Sequence, residues 1–142
     1  MKHIEYFKLQ AKNLFKDYKT QFFNKDEDIY DYKPTYFDVN QIVVDFDIDE
    51  EDRFSLMNAQ HIIARMVGFY KWTDLIKASE TELELAKLLF DNQDKINLEE
   101  WKMYITDAER HNKTTFDSDQ RLTIFKHNFL NRSMFPDYRL NS

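Results

Sequence analysis

Across residues 4–22 the apolar side chains fall at 4, 7, 11, 14, 15, 18 and 22, spacings of three and four that gather them on one helical face. The spacing predicts a helix over 4–22. Lys8, Lys12, Lys16 and Lys19 form a second stripe, rotated from the apolar one by the 100° step of the helix, and are expected to face solvent. Residues 24–35 are polar and acidic and run into Pro34, whose missing amide and restricted predecessor predict an irregular connection. In 42–49 the pattern changes to a period of two, with Ile42, Val44, Phe46 and Ile48 on one side and Asp45, Asp47 and Asp49 on the other. This predicts an extended segment lying against the helices and paired with 30–33. A short helix over 39–44 competes with it.

Beyond residue 55 the three-and-four spacing returns in pieces, each with its own punctuation. Ser55 caps a helix through Leu56, Ala59, Ile62, Ile63, Met66 and Val67, and Gly68 stands where a left-handed residue closes it. A tight turn leads into a short helix through Trp72, Leu75 and Ile76. Ser79 with Glu82, Asn97 with Glu100, and Asp117 with Gln120 place an N-cap acceptor three residues before an acid or amide, each ahead of an apolar run. The expected architecture is therefore all-α: a single domain over 1–142, a bundle of about six helices. The acidic segment 26–52 is expected to be irregular or briefly extended within it. The tail 132–142, which contains Pro136, is expected to lie loosely or to dock through Met134, Phe135 and Tyr138.

Composition supports a core built on rings, since 42% of the 142 residues are apolar and thirteen are Phe. No run approaches the roughly 18 consecutive apolar residues of a membrane span, and the amino terminus lacks the continuous apolar stretch of a signal peptide. A cytoplasmic location is the expectation, and the absence of cysteine fits a reducing compartment. With no cysteine there are no thiolate nucleophiles, disulfides or Cys-based metal sites. With one glycine there is no phosphate-binding loop, dinucleotide fingerprint or nucleophile elbow, because each needs several residues without a Cβ.

The net charge of −6 hides a strong asymmetry. Residues 1–25 carry six lysines against Glu5 and Asp17, whereas 26–52 carry eleven acids against Lys33 alone. The remaining residues balance at thirteen of each sign, so a basic entrance and an acidic collar sit on a neutral body. Asp45, Asp47 and Asp49 have the alternation of a calcium loop, but the sixth position is Glu50 where a glycine is needed and the twelfth is Leu56 where a bidentate Glu is needed. A solvated or partner-binding acidic face is the expectation, with no metal and no cofactor. Of the four histidines, no pair has metalloprotease spacing; His61 reads as a satisfied structural histidine, and His111 as the partner of Asp107 four residues earlier. No catalytic residues stand out, because carboxylate pairs that work as acid and base are defined in space and not by spacing along a chain.

One stretch carries a family likeness. Residues 55–75, Ser-Leu-Met-Asn-Ala-Gln-His-Ile-Ile-Ala-Arg-Met-Val-Gly-Phe-Tyr-Lys-Trp-Thr-Asp-Leu, with 7–14, Phe-Lys-Leu-Gln-Ala-Lys-Asn-Leu, resemble a family of small bacterial helical domains named glyoxalase-related, which also occur beside ankyrin repeats. The shared motif is a Gln-Ala-Lys helix followed by an Ala-Gln helix, Gly68-Phe69 and Trp72, and it covers roughly a quarter of the chain. The resemblance implies a helical fold. It implies neither activity nor metal, since a glyoxalase's His and Glu ligands have no matching positions in this chain. Physically the motif reads as a corner in which Gly68 turns the chain and Phe69, Trp72 and Leu75 fill the angle between two helices.

The expected function is that of a non-catalytic bacterial protein-interaction or regulatory domain. Its expected surface is acidic and aromatic: Tyr30, Tyr32, Tyr36, Phe37, Asp45, Asp47, Asp49 and Glu51, with aromatics set in a charged rim. Two other expectations stand beside it: nucleic-acid contact through Lys8, Lys12, Lys16 and Lys19, and acidic inhibition of a nucleic-acid enzyme, of phage or plasmid type, by charge mimicry.

Overall fold

The cap signals set the helix boundaries over most of the chain. In the computed structural model, which describes residues 2–130 and 138–140, the order is α1 (Lys2–Tyr18), β1 (Phe22–Asn24), β2 (Ile29–Asp31), α2 (Val39–Asp45), α3 (Leu56–Met66), α4 (Trp72–Ile76), α5 (Glu80–Asp91), α6 (Leu98–Asn112) and α7 (Ser118–Asn128). Ser55, Ser79 and Asp117 each close a full capping box with the residue three positions on, and Asn97 accepts from the Glu100 amide. No helix among the described residues is long and apolar enough to cross a membrane.

Two expectations are corrected. The fold is mostly helical but not purely all-α, because residues 22–31 form a β-hairpin in which Phe22 opposes Asp31, Phe23 opposes Tyr30 and Asn24 opposes Ile29. The first helix consequently ends at Tyr18 and not at Phe22. The hairpin's tip is an Asx turn: Asn24 Oδ1 accepts from the amides of Asp26 and Glu27, and Asp28 adopts φ +57°, a left-handed conformation that Asp tolerates better than most residues. The second correction concerns 42–49, where the competing helix prevails. Asp38 caps it by accepting from the Gln41 amide, and its buried side follows Val39 and Ile42 while Val44 stays 74% exposed, which no alternating strand would do. The strand partner predicted for 42–49 is itself taken, since Ile29–Asp31 pairs with Phe22–Asn24.

Most of the buried apolar residues meet in one core beneath α1, α3 and α5. Phe7, Phe37 and Phe90 are almost fully buried and pack edge to face, with Phe90 6.2 Å from both Phe7 and Phe37 between ring centres. Each such ring contributes about 1.5–3 kcal/mol by leaving water. A second, smaller core lies between α5, α6 and α7, where Trp101 meets Phe125 at 5.3 Å and Phe129 at 5.6 Å. The α6–α7 turn is fixed by Glu109, which accepts from the Phe116 amide at 2.8 Å and from Arg121 at 3.0 Å. These two donors, the amide first, hold its carboxyl below the usual range.

The corner at Gly68 joins the two cores. Gly68 has φ +99°, the Phe69 amide donates to the Ala64 carbonyl at 3.0 Å and the Gly68 amide to that of Arg65 at 3.3 Å, which together make a Schellman closure of α3. His61 Nδ1 accepts from the Trp72 amide at 3.1 Å and ties α3 to the start of α4. That is the structural role expected of it. The expected Asp107–His111 pair is not formed; Asp107 meets Arg110 instead, at 3.5 Å.

Candidate interaction surface

The acidic segment is ordered by what it gives up to the interior. Asp17, in the last turn of α1, is 2% exposed, and its carboxylate accepts from three successive backbone amides: Thr35 at 2.9 Å, Tyr36 at 2.7 Å and Phe37 at 2.8 Å. A carboxylate at the negative end of a helix is unfavourably placed, and three charge-assisted hydrogen bonds offset that cost. They also fix the direction of the chain as it leaves the hairpin, and Thr20 Oγ1 accepts from the Lys33 amide at 2.8 Å on the same side. Phe37 is thereby driven inward, to 1% exposure.

Tyr32 is also interior. It is 6% exposed, lies 5.2 Å from the Tyr18 ring, donates to Glu50 Oε2 at 2.7 Å and accepts from Gln21 Nε2 at 2.9 Å. Burial, then the bond to the Glu50 carboxylate, pushes its hydroxyl pKa well above the ordinary tyrosine value. Tyr32 and Phe37 thus hold the acidic segment onto the core and are not available as a surface, which corrects the reading of these two aromatics. Of the other two, Tyr30 is half-buried beside Phe23, and Tyr36 is 40% exposed.

The carboxylates divide in the same way. Asp31 accepts from Asn40 and from the Tyr32 amide, contacts that hold its pKa below the usual range. Asp38 caps α2, Asp45 accepts from Gln41 and Tyr138, Asp49 accepts from the Glu51 amide, and Glu50 is bound to Tyr32. Asp26, Glu27, Asp28, Asp47, Glu51 and Asp52 are all exposed, and among the described residues none of their carboxylates has a hydrogen-bond or ion-pair partner. So Asp45 and Asp49 of the expected surface do structural work, Asp47 and Glu51 remain free, and Asp26, Glu27, Asp28 and Asp52 join them. Glu50, through Gln21 and Tyr32, ties residues 46–54 to the base of the hairpin, whose Phe22, Phe23 and Ile29 are 40–47% exposed. The exposed Phe22, Phe23 and Ile29 are hairpin side chains that the alternation of 42–49 did not point to; the signal was Phe22-Phe23-Asn24 before the acidic turn.

Lys8, Lys12, Lys16 and Lys19 are exposed, as their stripe predicts. Lys8 approaches Glu5 at 3.4 Å and Lys19 lies 4.9 Å from the centre of the Phe15 ring. None of the four pairs with the acidic segment among the described residues. No group of three or more His, Asp or Glu side chains is gathered for a metal ion there either.

A separate cleft of about 640 Å³ opens between the end of α3, the α5–α6 connection and Tyr138, bordered by Phe46, Arg65, Phe69, Gln93 and Leu98. Met134 and Phe135, expected to dock the tail, lie outside the described residues, but Tyr138 does dock: its ring packs 5.7 Å from Phe46 and its hydroxyl donates to Asp45. No family model, no curated protein and no solved structure matches this chain.

Proposed function

We propose that this chain is a non-catalytic interaction domain of a bacterial cytoplasmic protein and that its acidic face engages a basic partner protein. The observation that carries the reading is a set of six exposed carboxylates with no partner among the described residues, Asp26, Glu27 and Asp28 at the hairpin tip and Asp47, Glu51 and Asp52 around Glu50, which binds Gln21 and Tyr32 at the hairpin's base; Phe22, Phe23 and Ile29 of the hairpin are exposed as well. Free charge of one sign steers an oppositely charged partner and sets orientation, while rings at its edge supply the desolvated contact that gives affinity. A nucleic-acid enzyme blocked by charge mimicry is one partner of this kind. The Gly68, Phe69 and Trp72 motif serves packing in this reading, and no activity attaches to it.

The lysine stripe supports a second reading, contact with nucleic-acid phosphates, because Lys12 and Lys16 are exposed and have no partner among the described residues. One experiment separates the two. The tagged full chain is used to capture partners from its own lysate with and without nuclease, beside two variants. In one the six free acids become amides; in the other Lys8, Lys12, Lys16 and Lys19 become Gln. A protein retained after nuclease and lost with the amide variant supports the acidic face, and its binding should weaken as salt is raised. Recovery that needs intact nucleic acid and is lost with the Gln variant overturns it in favour of the lysine helix.

A further inference from the structure

Residues 138–140 lie as a short strand along residues 36–38. The Asp38 amide donates to the Tyr138 carbonyl at 2.7 Å and the Leu140 amide to the Tyr36 carbonyl at 2.8 Å, around a single bridge between Phe37 and Arg139. Side-chain seats flank this pairing. Tyr138 packs on Phe46 and reaches Asp45. The Arg139 guanidinium lies 5.7 Å from the Phe90 ring centre, donates to the Asp91 carbonyl at 2.7 Å and stands 3.7 Å from the Asp91 carboxylate. This is the pattern of strand addition to an edge, with backbone bonds for affinity and alternate side-chain pockets for selection.

Residues 138–140 leave one buried donor at the groove unused. Gln93 is 7% exposed; its Oε1 accepts from the Tyr138 amide at 2.9 Å, but its Nε2 has no hydrogen-bond partner among the described residues. A buried donor left idle favours any occupant that brings a carbonyl to it. The 640 Å³ cleft bordered by Tyr138 and Gln93 also leaves room for a bulkier segment to continue towards Phe69 and Leu98.

We propose that this edge is a recognition groove for an extended segment of another protein with the pattern aromatic, arginine, apolar, and that residues 138–140 occupy it in the resting chain. The groove draws on Asp45, Asp91 and Gln93 and on none of the six free acids, so it stands or falls separately from the acidic-face reading.

A labelled peptide with the sequence of residues 137–142 tests the groove by fluorescence anisotropy on the full chain. The tail excludes the peptide from most wild-type molecules, so the Tyr138→Ala/Arg139→Ala double variant should bind it about tenfold or more tightly than wild type. A peptide with Ala in place of its Arg should not bind. Equal affinity for wild type and a folded double variant, or no binding to that variant, overturns the proposal. If the double variant does not fold, hydrogen exchange on the wild type decides. Asp38 and Leu140 amides exchanging far faster than those within α1 mean that the strand releases on its own, whereas exchange in step with α1 means that the groove is never free, which overturns the proposal.

Discussion

The two cores differ in how their residues are collected. The larger draws Phe7, Tyr32, Phe37, Ile63, Leu83 and Phe90 from segments scattered along most of the chain, so it forms only when distant pieces meet. The smaller takes Leu89, Ile96, Trp101, Ile105, Phe125 and Phe129 from one continuous stretch. Local contacts cost less chain entropy to make and open more readily by themselves, so the α6–α7 pair should behave as a separate, weaker cooperative unit.

The sharpest break is a pair of matched truncations. Phe90→Ala should cost about 3–5 kcal/mol and lower the stability of the whole chain as one transition in chemical denaturation. Phe125→Ala should cost a similar amount locally, but with hydrogen exchange rising over 98–128 while α1 and α3 keep their protection. If both variants accelerate exchange everywhere alike, the cores are one unit. Next in size is Asp17→Ala, which takes the acceptor from the amides of Thr35, Tyr36 and the core residue Phe37 and should cost about 3 kcal/mol by urea unfolding. A loss under about 1 kcal/mol would mean that the 35–37 turn holds without its carboxylate.

Gly68 probes the junction. Its left-handed backbone excludes a β-branched residue, and a Cβ there would stand 3.3 Å from Leu98 Cδ1, so Gly68→Val should cost more than about 1 kcal/mol. An unchanged melting midpoint would separate the α3 corner from α6. The alkaline limb sharpens the comparison in a different way. Tyr6, Tyr32 and Tyr138 all have hydroxyls raised above their ordinary value, by burial first and then by bonds to Asp91, Glu50 and Asp45 respectively. The unfolded chain releases these protons near pH 10 while the folded chain keeps them, so stability is fully present below pH 10 and falls as pH rises beyond it. Urea midpoints measured from pH 9 to 11 should fall less in Tyr32→Phe than in wild type. The smallest effect is stabilising: Lys113 ends α6 at φ +52°, and Lys113→Gly should add about 0.5–1 kcal/mol to the smaller core, read from exchange in α6.

The sequence made the helices after Ser55 legible because their ends are chemical and local. A cap acceptor three residues before its acid or amide is a signal that survives without knowledge of the fold. The same signal stood at Asp38 and Gln41, where the alternation of 42–49 outweighed it. Val39, Ile42, Val43 and Phe46 carry a helical spacing in the same residues, and burial on one side chose between the two periods. The hairpin was hidden by its length, since strands of three residues leave no measurable alternation. The surface was half legible. Charge identifies carboxylates but not which of them the interior uses, and Tyr32 and Phe37 look like interface aromatics until Glu50 and Asp17 are seen to bind the segment inward. Asp17 left a trace of its own: three positions after Leu14 and beside Tyr18, it is an acid on the apolar face of a helix.

The base of the hairpin has a practical meaning. Asp17 and Thr20 grip the returning chain at residues 33–37, so both ends of the loop are fastened at one place before the tip is reached. A stapled stem of that sort tolerates cargo. A peptide epitope, a cysteine for a dye or a surface tether spliced between Asp26 and Glu27 should leave the body unaltered while interrupting the acids of the proposed face, making this tip the place to disturb that face without touching the core.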